Sequence, residues 1–447
     1  MMTDNKKLEA YIPYRRSDII ELCLKDGKLS REDTQTFKEF CQILSAFYHF
    51  RFHKTLEIIK ENYAVFNPNT DVEPLEEPNL DQYNQMQSKV VEAFNHILER
   101  ANYVRLSKSI VDKALGQKSL INLQTHVDFN DFDQFLCYYR GDTTTTTKIK
   151  KLFFWEEEKT IEMFERVVLL IKFKGKGYFR RKESNSKALD ELKFTPGKMY
   201  AYFYKNIPKF DIDLLFPNIK TSMTWKDRLL FGVPAVGAAI PLILRTLPNI
   251  LLLIAAILLV FNARDLIQTL NVEQDQLQDI MPVLVATLSL AIALGGFAFK
   301  QYNNYKSKKI QFQKDVTDTL FFKNLANNDS VFQRLIDIAE EEECKEIILV
   351  YYHLLTSPNP LNPEQLDAKI ENWMQEKLGI GINFDINGPL NNMQEIRGKI
   401  EDNANEPEVP LLSYNQQGYC HVIPLKQARI VIDWVWDNAF QYNGKAL

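Results

Sequence analysis

Apolar residues recur at three- and four-residue intervals through residues 14–116, the spacing of one buried helix face. The clearest run, FKEFCQILSAFYHFRFHKTLEIIKENY, starts at Phe37. Ser30 and Asp33 precede it in the pattern of a helix N-terminal cap. NTDVEPLEEPN (69–79) interrupts the periodicity with prolines and acids and reads as a loop, and a second helical run follows from Gln82 to Arg100. Between 132 and 206 the texture changes. FDQFLCYYRG, TIEMFERVVLLIKFKG and KMYAYFYKNI are rich in aromatic and β-branched residues, which suits strands. The run Thr143–Thr147 fits an exposed hairpin.

Two stretches break both patterns. Residues 229–261 carry Arg245 as their one charge, and residues 281–299 carry none. A bilayer core of ~30 Å needs ~20 helical residues, so the second stretch fits one span. Pro234, Pro241 and Pro248 predict a kinked or broken first span. The linker 262–280 sets Arg264 against Asp265, Glu273, Asp275 and Asp279, whereas Lys300, Lys306, Lys308, Lys309 and Lys314 follow the second stretch. The positive-inside rule then puts both large flanks on the cytoplasmic side, with a short acidic loop across the bilayer.

After the second stretch the helix is expected to continue to about Leu325 and to break at Asn327–Ser330. Ser330 and Gln333 would cap the next helix, VFQRLIDIAEEEECKEIILVYYHLL. A helix over 363–378, a helix from about Pro389, a two-strand stretch around Gln417–Gly418 and a final amphipathic helix have the order of a winged-helix module. The expected fold class is an α+β membrane protein with a two-span transmembrane hairpin. The hairpin would lie between an N-terminal helical and β-rich part and a C-terminal helical domain with a winged-helix-like module. The expected boundaries are 1–130 (helical), 131–216 (β-rich), 217–300 (transmembrane hairpin), 301–360 (helical extension with an acidic helix) and 361–447 (winged-helix-like).

Composition adds exclusions. Of 447 residues, 45% are hydrophobic and 25% charged, as in a folded chain, and the net charge of −4 gives nucleic acid no bulk attraction. From Phe384 onward acids outnumber cations, so the winged-helix-like part is not expected to read DNA. Cys23, Cys41, Cys137, Cys344 and Cys420 form no CxxC pair, which fits a reducing compartment. The N-terminus lacks an apolar core and carries acids, so neither a secretory signal nor a transit peptide is expected.

Several phrases resemble one family: YIPYRRSDIIELCL near the start, YYRG at 138–141, FYKNIPKFDIDLLFP at 203–217, residues 321–355, and VIPLKQARIVIDWVWDNAF near the end. The chain is similar to the domain of unknown function 3754 family, which includes transmembrane protein 143-like proteins. The resemblance implies a membrane-anchored protein of unassigned activity, found in bacterial membranes and in organelles of bacterial descent. It supplies no catalytic residue. Without a transit peptide, the expected location is the bacterial inner membrane, with both termini cytoplasmic.

Three constellations could carry chemistry. His49, His53 and Glu57 share a helix face and could hold zinc, although HExxH is absent. Glu342, Glu346 and His353 form the second candidate metal site, within the acidic run that starts at Glu340, with a solvated or internally paired acidic face as the plainer reading. Arg15 and Arg16 are expected near that run, the two halves packing as one body. The third is IKFKGKGYFRRK, where Lys172, Lys174, Lys176, Arg180, Arg181 and Lys182 would form a basic hairpin tip for anionic lipid headgroups or phosphate. No nucleotide-loop or nucleophile-elbow motif occurs. The expected function is a non-enzymatic adaptor or assembly factor at the membrane surface, with the bilayer and a further protein or a second copy as partners. The alternative is a membrane-bound metal-dependent hydrolase using the acidic helix and His353.

Overall fold

Ser30 opens the longest described helix. Its hydroxyl accepts the Asp33 N–H at 3.1 Å, satisfying a donor that a first helical turn leaves free. The computed structural model describes residues 8–71, 74–106, 124–151, 155–182, 192–222, 320–401 and 407–439, with scattered positions of 285–319. The chain folds as two compact units. The first comprises Met1–Lys113, Phe129–Ile212 and Lys323–Leu447, and the second comprises Ala114–Asp128 and Asp213–Phe322.

The first unit begins with α1 (Arg16–Lys25), α2 (Arg31–Tyr63) and α3 (Leu80–Arg100). Helix α2 buries Phe37, Phe40, Leu44, Phe47, Tyr48, Phe52, Leu56 and Tyr63, the apolar stripe that its three-and-four spacing requires. In chain order then come β1 (Val104–Arg105), β2 (Gln124–His126), β3 (Phe132–Lys151), β4 (Trp155–Phe173), the short helix α4 (Lys176–Lys182), β5 (Met199–Pro208), β6 (Lys220–Ser222) and β7 (Asn324–Asn327), of which β2 and β6 belong to the second unit. Five of these strands form one antiparallel sheet in the order β1-β3-β4-β5-β7. Leu136, Tyr138, Val168, Leu170, Met199, Ala201 and Phe203 join the helical core, as alternation along a strand allows. Gly141 adopts φ +78°, and a Cβ there would lie 2.5 Å from the Glu165 Cβ. Only glycine fits that turn of β3.

Helix α5 (Asp329–Leu355) runs through the middle of this core, in contact with α1, α2 and α3. It begins before the expected Ser330 cap, because Asn328, the turn residue that follows β7, is tied to the sheet and takes the N-cap position. The Asn328 N–H donates to the Ala201 carbonyl at 2.8 Å, and its side-chain oxygen accepts the Ala201 N–H at 3.2 Å. Strand β7, unforeseen in the sequence, occupies the residues just before. The C-terminal part contains α6 (Pro363–Leu378), α7 (Asn387–Glu395), β8 (Arg397–Gly398), β9 (Val409–Pro410), β10 (Leu412–Tyr414), β11 (Cys420–Val422) and α8 (Leu425–Asp437). The expected succession of two helices, a hairpin and a closing helix is present. Asn362 caps α6 reciprocally with Gln365, and Gly379 at φ +68° ends it.

In the second unit β2 pairs antiparallel with β6, and Asn218 donates to the Asp128 carbonyl at 3.0 Å. Val127, Leu214, Leu215 and Phe216 are buried.

The membrane-spanning fold class is corrected. Among the described residues no helix is long and apolar enough to cross a membrane, and the architecture is a mixed α+β one built on an antiparallel sheet. Length is not what fails. Helices of 33 and 27 residues exceed the ~20 a bilayer needs, but α2 is studded with charges and α5 carries Glu340–Glu343, Lys345 and Glu346. The two-span hairpin at 229–261 and 281–299 falls largely on residues 223–284, which lie outside the described residues. The inner-membrane location, with both termini cytoplasmic, rested on that hairpin and is withdrawn with it.

Candidate functional site

Glu342, Glu343, Lys345, Glu346 and His353 of α5 are all buried, on the stretch of the helix (342–353) that has no exposed face. Buried charge is tolerated only when paired and hydrogen-bonded. The N-terminal segment supplies much of that. The Ile12 N–H donates to Glu342 Oε2 at 3.1 Å, and the Arg16 N–H donates to Glu341 Oε1 at 2.6 Å. Lys345, with 2% of its side chain exposed, donates to the Ile12 carbonyl (2.6 Å), the Tyr14 carbonyl (3.0 Å) and Glu342 Oε1 (2.8 Å). Arg16 lies 3.7 Å from Glu340 and 3.8 Å from Glu341, while Arg15 pairs with Asp18 instead. The expected seam between the two halves is therefore present, with Arg16 in it and Arg15 outside.

Deeper along α5, Arg100 reaches Glu343 Oε1 at 2.5 Å, and Asn102 donates to Glu346 Oε1 at 2.7 Å. Burial raises the Glu343 carboxyl above the ordinary carboxylate range despite Arg100 beside it. Burial also pushes Glu346 well up, and the nearby Glu342 and Glu343 charges add to the effect against the Asn102 hydrogen bond. The site candidates Glu342, Glu346 and His353 are not brought together. Seven residues of helix put His353 ~10 Å beyond Glu346 along the axis. There its ring meets Trp373 at 5.0 Å between centroids. Among the described residues no group of three His, Cys, Asp or Glu side chains is arranged to hold a metal ion.

His353 is 0% exposed, and neither ring nitrogen has a hydrogen-bond partner among the described residues. Burial, together with the charges of Lys369 and Lys28, lowers its pKa to about 3, so the ring is neutral. The two candidate histidines of α2 each face a different carboxylate. His49 Nδ1 sits 2.9 Å from Glu340, and His53 Nε2 lies 3.8 Å from Glu57.

The basic segment is divided in two. Instead of a tight glycine turn between strands, β4 ends at Phe173 and α4 follows. Lys172 is 5% exposed and donates to Asp133 (2.5 Å) and Gln87 (2.6 Å), and Lys182 pairs with Asp131. Lys174 lies over the Tyr178 ring, and Arg181 Nε donates to the Gly177 carbonyl at 3.3 Å. Lys176, Arg180 and Arg181 remain exposed. A cation tied to a buried aspartate fixes the strand end and is not free to gather a headgroup.

A pocket of about 490 Å³, which the sequence did not disclose, lies beside the docked segment and is lined by Arg140, Glu165, Arg166, Arg334 and Asp337 among others. The Arg140 guanidinium is held between the rings of Tyr11 (4.4 Å) and Tyr103 (4.8 Å) and donates to the Ala101 carbonyl. Of the YYRG phrase, Arg140 lines this wall.

The architecture defines a mixed α+β protein organised around a buried, internally paired charged helix. Residues 164–330 match the model of a family described as protein of unknown function (DUF3754), which supports that family for this chain. The match takes in FYKNIPKFDIDLLFP and the start of α5. No solved structure matches.

Proposed function

We propose that this protein is a non-enzymatic adaptor or assembly factor that binds other proteins through a projecting β-ribbon. The observation that carries the reading is the length of the β3–β4 pair. Strand β5 stops pairing at Met163 with Pro208, and β1 stops at Val104 with Tyr139, whereas β3 and β4 stay paired from Thr144–Glu162 out to Lys151–Trp155. At ~3.4 Å per residue the ribbon reaches ~27 Å past the sheet. Lys209 braces its base, bonding Asp142 at 2.9 Å and Glu162 at 3.0 Å. Thr144, Thr145, Thr146 and Thr160 are exposed. A two-stranded ribbon is marginal alone in water, and among the described residues no further strand pairs with either of its edges, which an added strand could use. Its register sets Lys148 opposite Glu158 and Lys150 opposite Glu156.

The internal pairing of Glu342 and Glu346 supports the same reading, because those carboxylates already hold the chain together. The narrower kinship with transmembrane protein 143-like proteins is part of this proposal. It rests on YIPYRRSDIIELCL, YYRG and the closing phrase, all outside residues 164–330.

A shortened chain tests the adaptor reading. Residues 144–162 are removed and Thr143 is joined to Met163 through Asn-Gly, a sequence suited to a two-residue hairpin turn. The shortened protein is expected to keep its unfolding midpoint and lose the partners that crosslink to the intact protein in its native cells. Retention of the same partners by the shortened chain would overturn the reading.

A further inference from the structure

We infer that the pocket beside the docked N-terminal segment binds a zwitterionic ligand: a free amino acid or the charged end of a short peptide. Four side chains of its wall carry the argument. Among the described residues Arg334 makes no hydrogen bond or ion pair, and Arg166 spends only Nη1, on the Glu165 carbonyl at 2.8 Å. The carboxylates of Glu165 and Asp337 likewise have no cation within ion-pair distance among those residues. The other acids of the wall are committed, Glu342 to Lys345 and the Ile12 N–H, and Glu341 to Arg16. Two uncommitted cations and two uncommitted anions thus face one cavity.

A simple anion drawn to the arginines meets Glu165 and Asp337, and a simple cation meets Arg166 and Arg334. A molecule bearing a carboxylate and an ammonium satisfies both pairs, the planar guanidinium forks matching the carboxylate. Arg140, fixed between two tyrosine rings, adds positive potential to the wall. Tyr14, Pro13 and Ile338 give the cavity an apolar side. Its volume, about 490 Å³, lies in the range of small-ligand sites. Residues 11–15 form one wall and are held down by Glu342 and Lys345, so the pocket exists only with this segment docked.

The test is calorimetric titration of the full chain with each free amino acid and with unblocked dipeptides. The same compounds with an acetylated amine or an amidated carboxyl, and inorganic phosphate, serve as probes of single charges. Arg334→Gln and Asp337→Asn change exposed side chains, so the fold persists. At least one unblocked compound is expected to bind, with each blocked form weaker by about tenfold or more and both variants weaker by a similar factor. Tighter binding of a dipeptide assigns a peptide end as the source, tighter binding of a single residue assigns a free amino acid, and both uphold the inference. The Asp337→Asn variant gives the decisive sign. Removing that charge weakens a zwitterion but strengthens a plain anion. Phosphate binding that tightens in Asp337→Asn, or no binding by any unblocked compound, overturns the proposal.

Discussion

Replacing Lys345 by methionine is expected to cost about 3–5 kcal/mol of unfolding free energy, the usual penalty for stripping one partner from a buried ion pair. The ammonium binds Glu342 and two carbonyls of the N-terminal segment at 2.6–3.0 Å. Its loss leaves the Glu342 carboxylate buried, with only the Ile12 N–H and a distant Arg140 at 3.9 Å. The double variant Lys345→Met with Glu342→Gln should recover a large part of the loss, since no unpaired charge then remains inside. Urea unfolding of the wild type, both single variants and the double variant measures this. Full additivity of the single effects would show that the two side chains are not coupled. A Lys345→Met chain as stable as wild type would remove the ammonium as the tie between segment and helix.

That pair also shows what the sequence could reveal. Wherever a helix has one wet face, its period was readable, and α2 with its Ser30 cap is the clearest instance. Strands β3 and β4 announced themselves through aromatic and β-branched residues, and the Thr run lies on their exposed ribbon. Arg16 and the acidic run could be matched by charge alone. The orientation of the second half of α5 could not be read, because from Glu342 to His353 the helix is buried, and it packs against α1, α2, α3, α6 and α7. With no wet face from residue 342 to residue 353, Glu342, Glu343 and Glu346 look in sequence like a solvated acidic patch, whereas their partners Arg100 and Asn102 stand far away in the chain. The basic stretch misled for a related reason. Spacing shows six cations close in sequence, but Asp131 and Asp133, which bind two of them, come from the start of β3 and the turn just before it. The pocket depends on residues from the N-terminal segment, β3, β4 and α5 meeting in space, and no local pattern encodes that meeting.

Acid should expose the buried histidine. His353 keeps a pKa of about 3 when folded, against about 6.5 for an unfolded histidine, so the unfolded chain takes up a proton that the folded chain refuses. The stability from the neutral ring is complete above pH ~6.5 and declines as pH falls toward the folded value, at about 1.4 kcal/mol per pH unit. Glu346 acts with the opposite sign. Its carboxyl pKa is raised in the fold, so acid favours the folded state through that group, and a single pH curve mixes the two. Comparison with His353→Leu isolates the histidine. Leucine has a similar volume and leaves no ring N–H or lone pair unsatisfied, whereas both ring nitrogens of the wild type lack partners among the described residues. Near pH 7.5 the variant should equal or exceed the wild type in stability. Near pH 4 its advantage should have grown by about 3 kcal/mol, because only the wild type bears the cost of refusing the proton. Urea midpoints for both proteins across that range provide the measurement. Parallel curves would mean that the ring is protonated within the fold, with an acid drawn close enough to pair with it. Asp26 is the acid whose charge reaches His353, and Asp26 is already bonded to Lys28 at 2.7 Å, Lys377 at 2.8 Å and the Tyr352 hydroxyl at 2.9 Å. Taking Asp26 from those partners would cost more than protonating the ring returns, so the curves are expected to diverge.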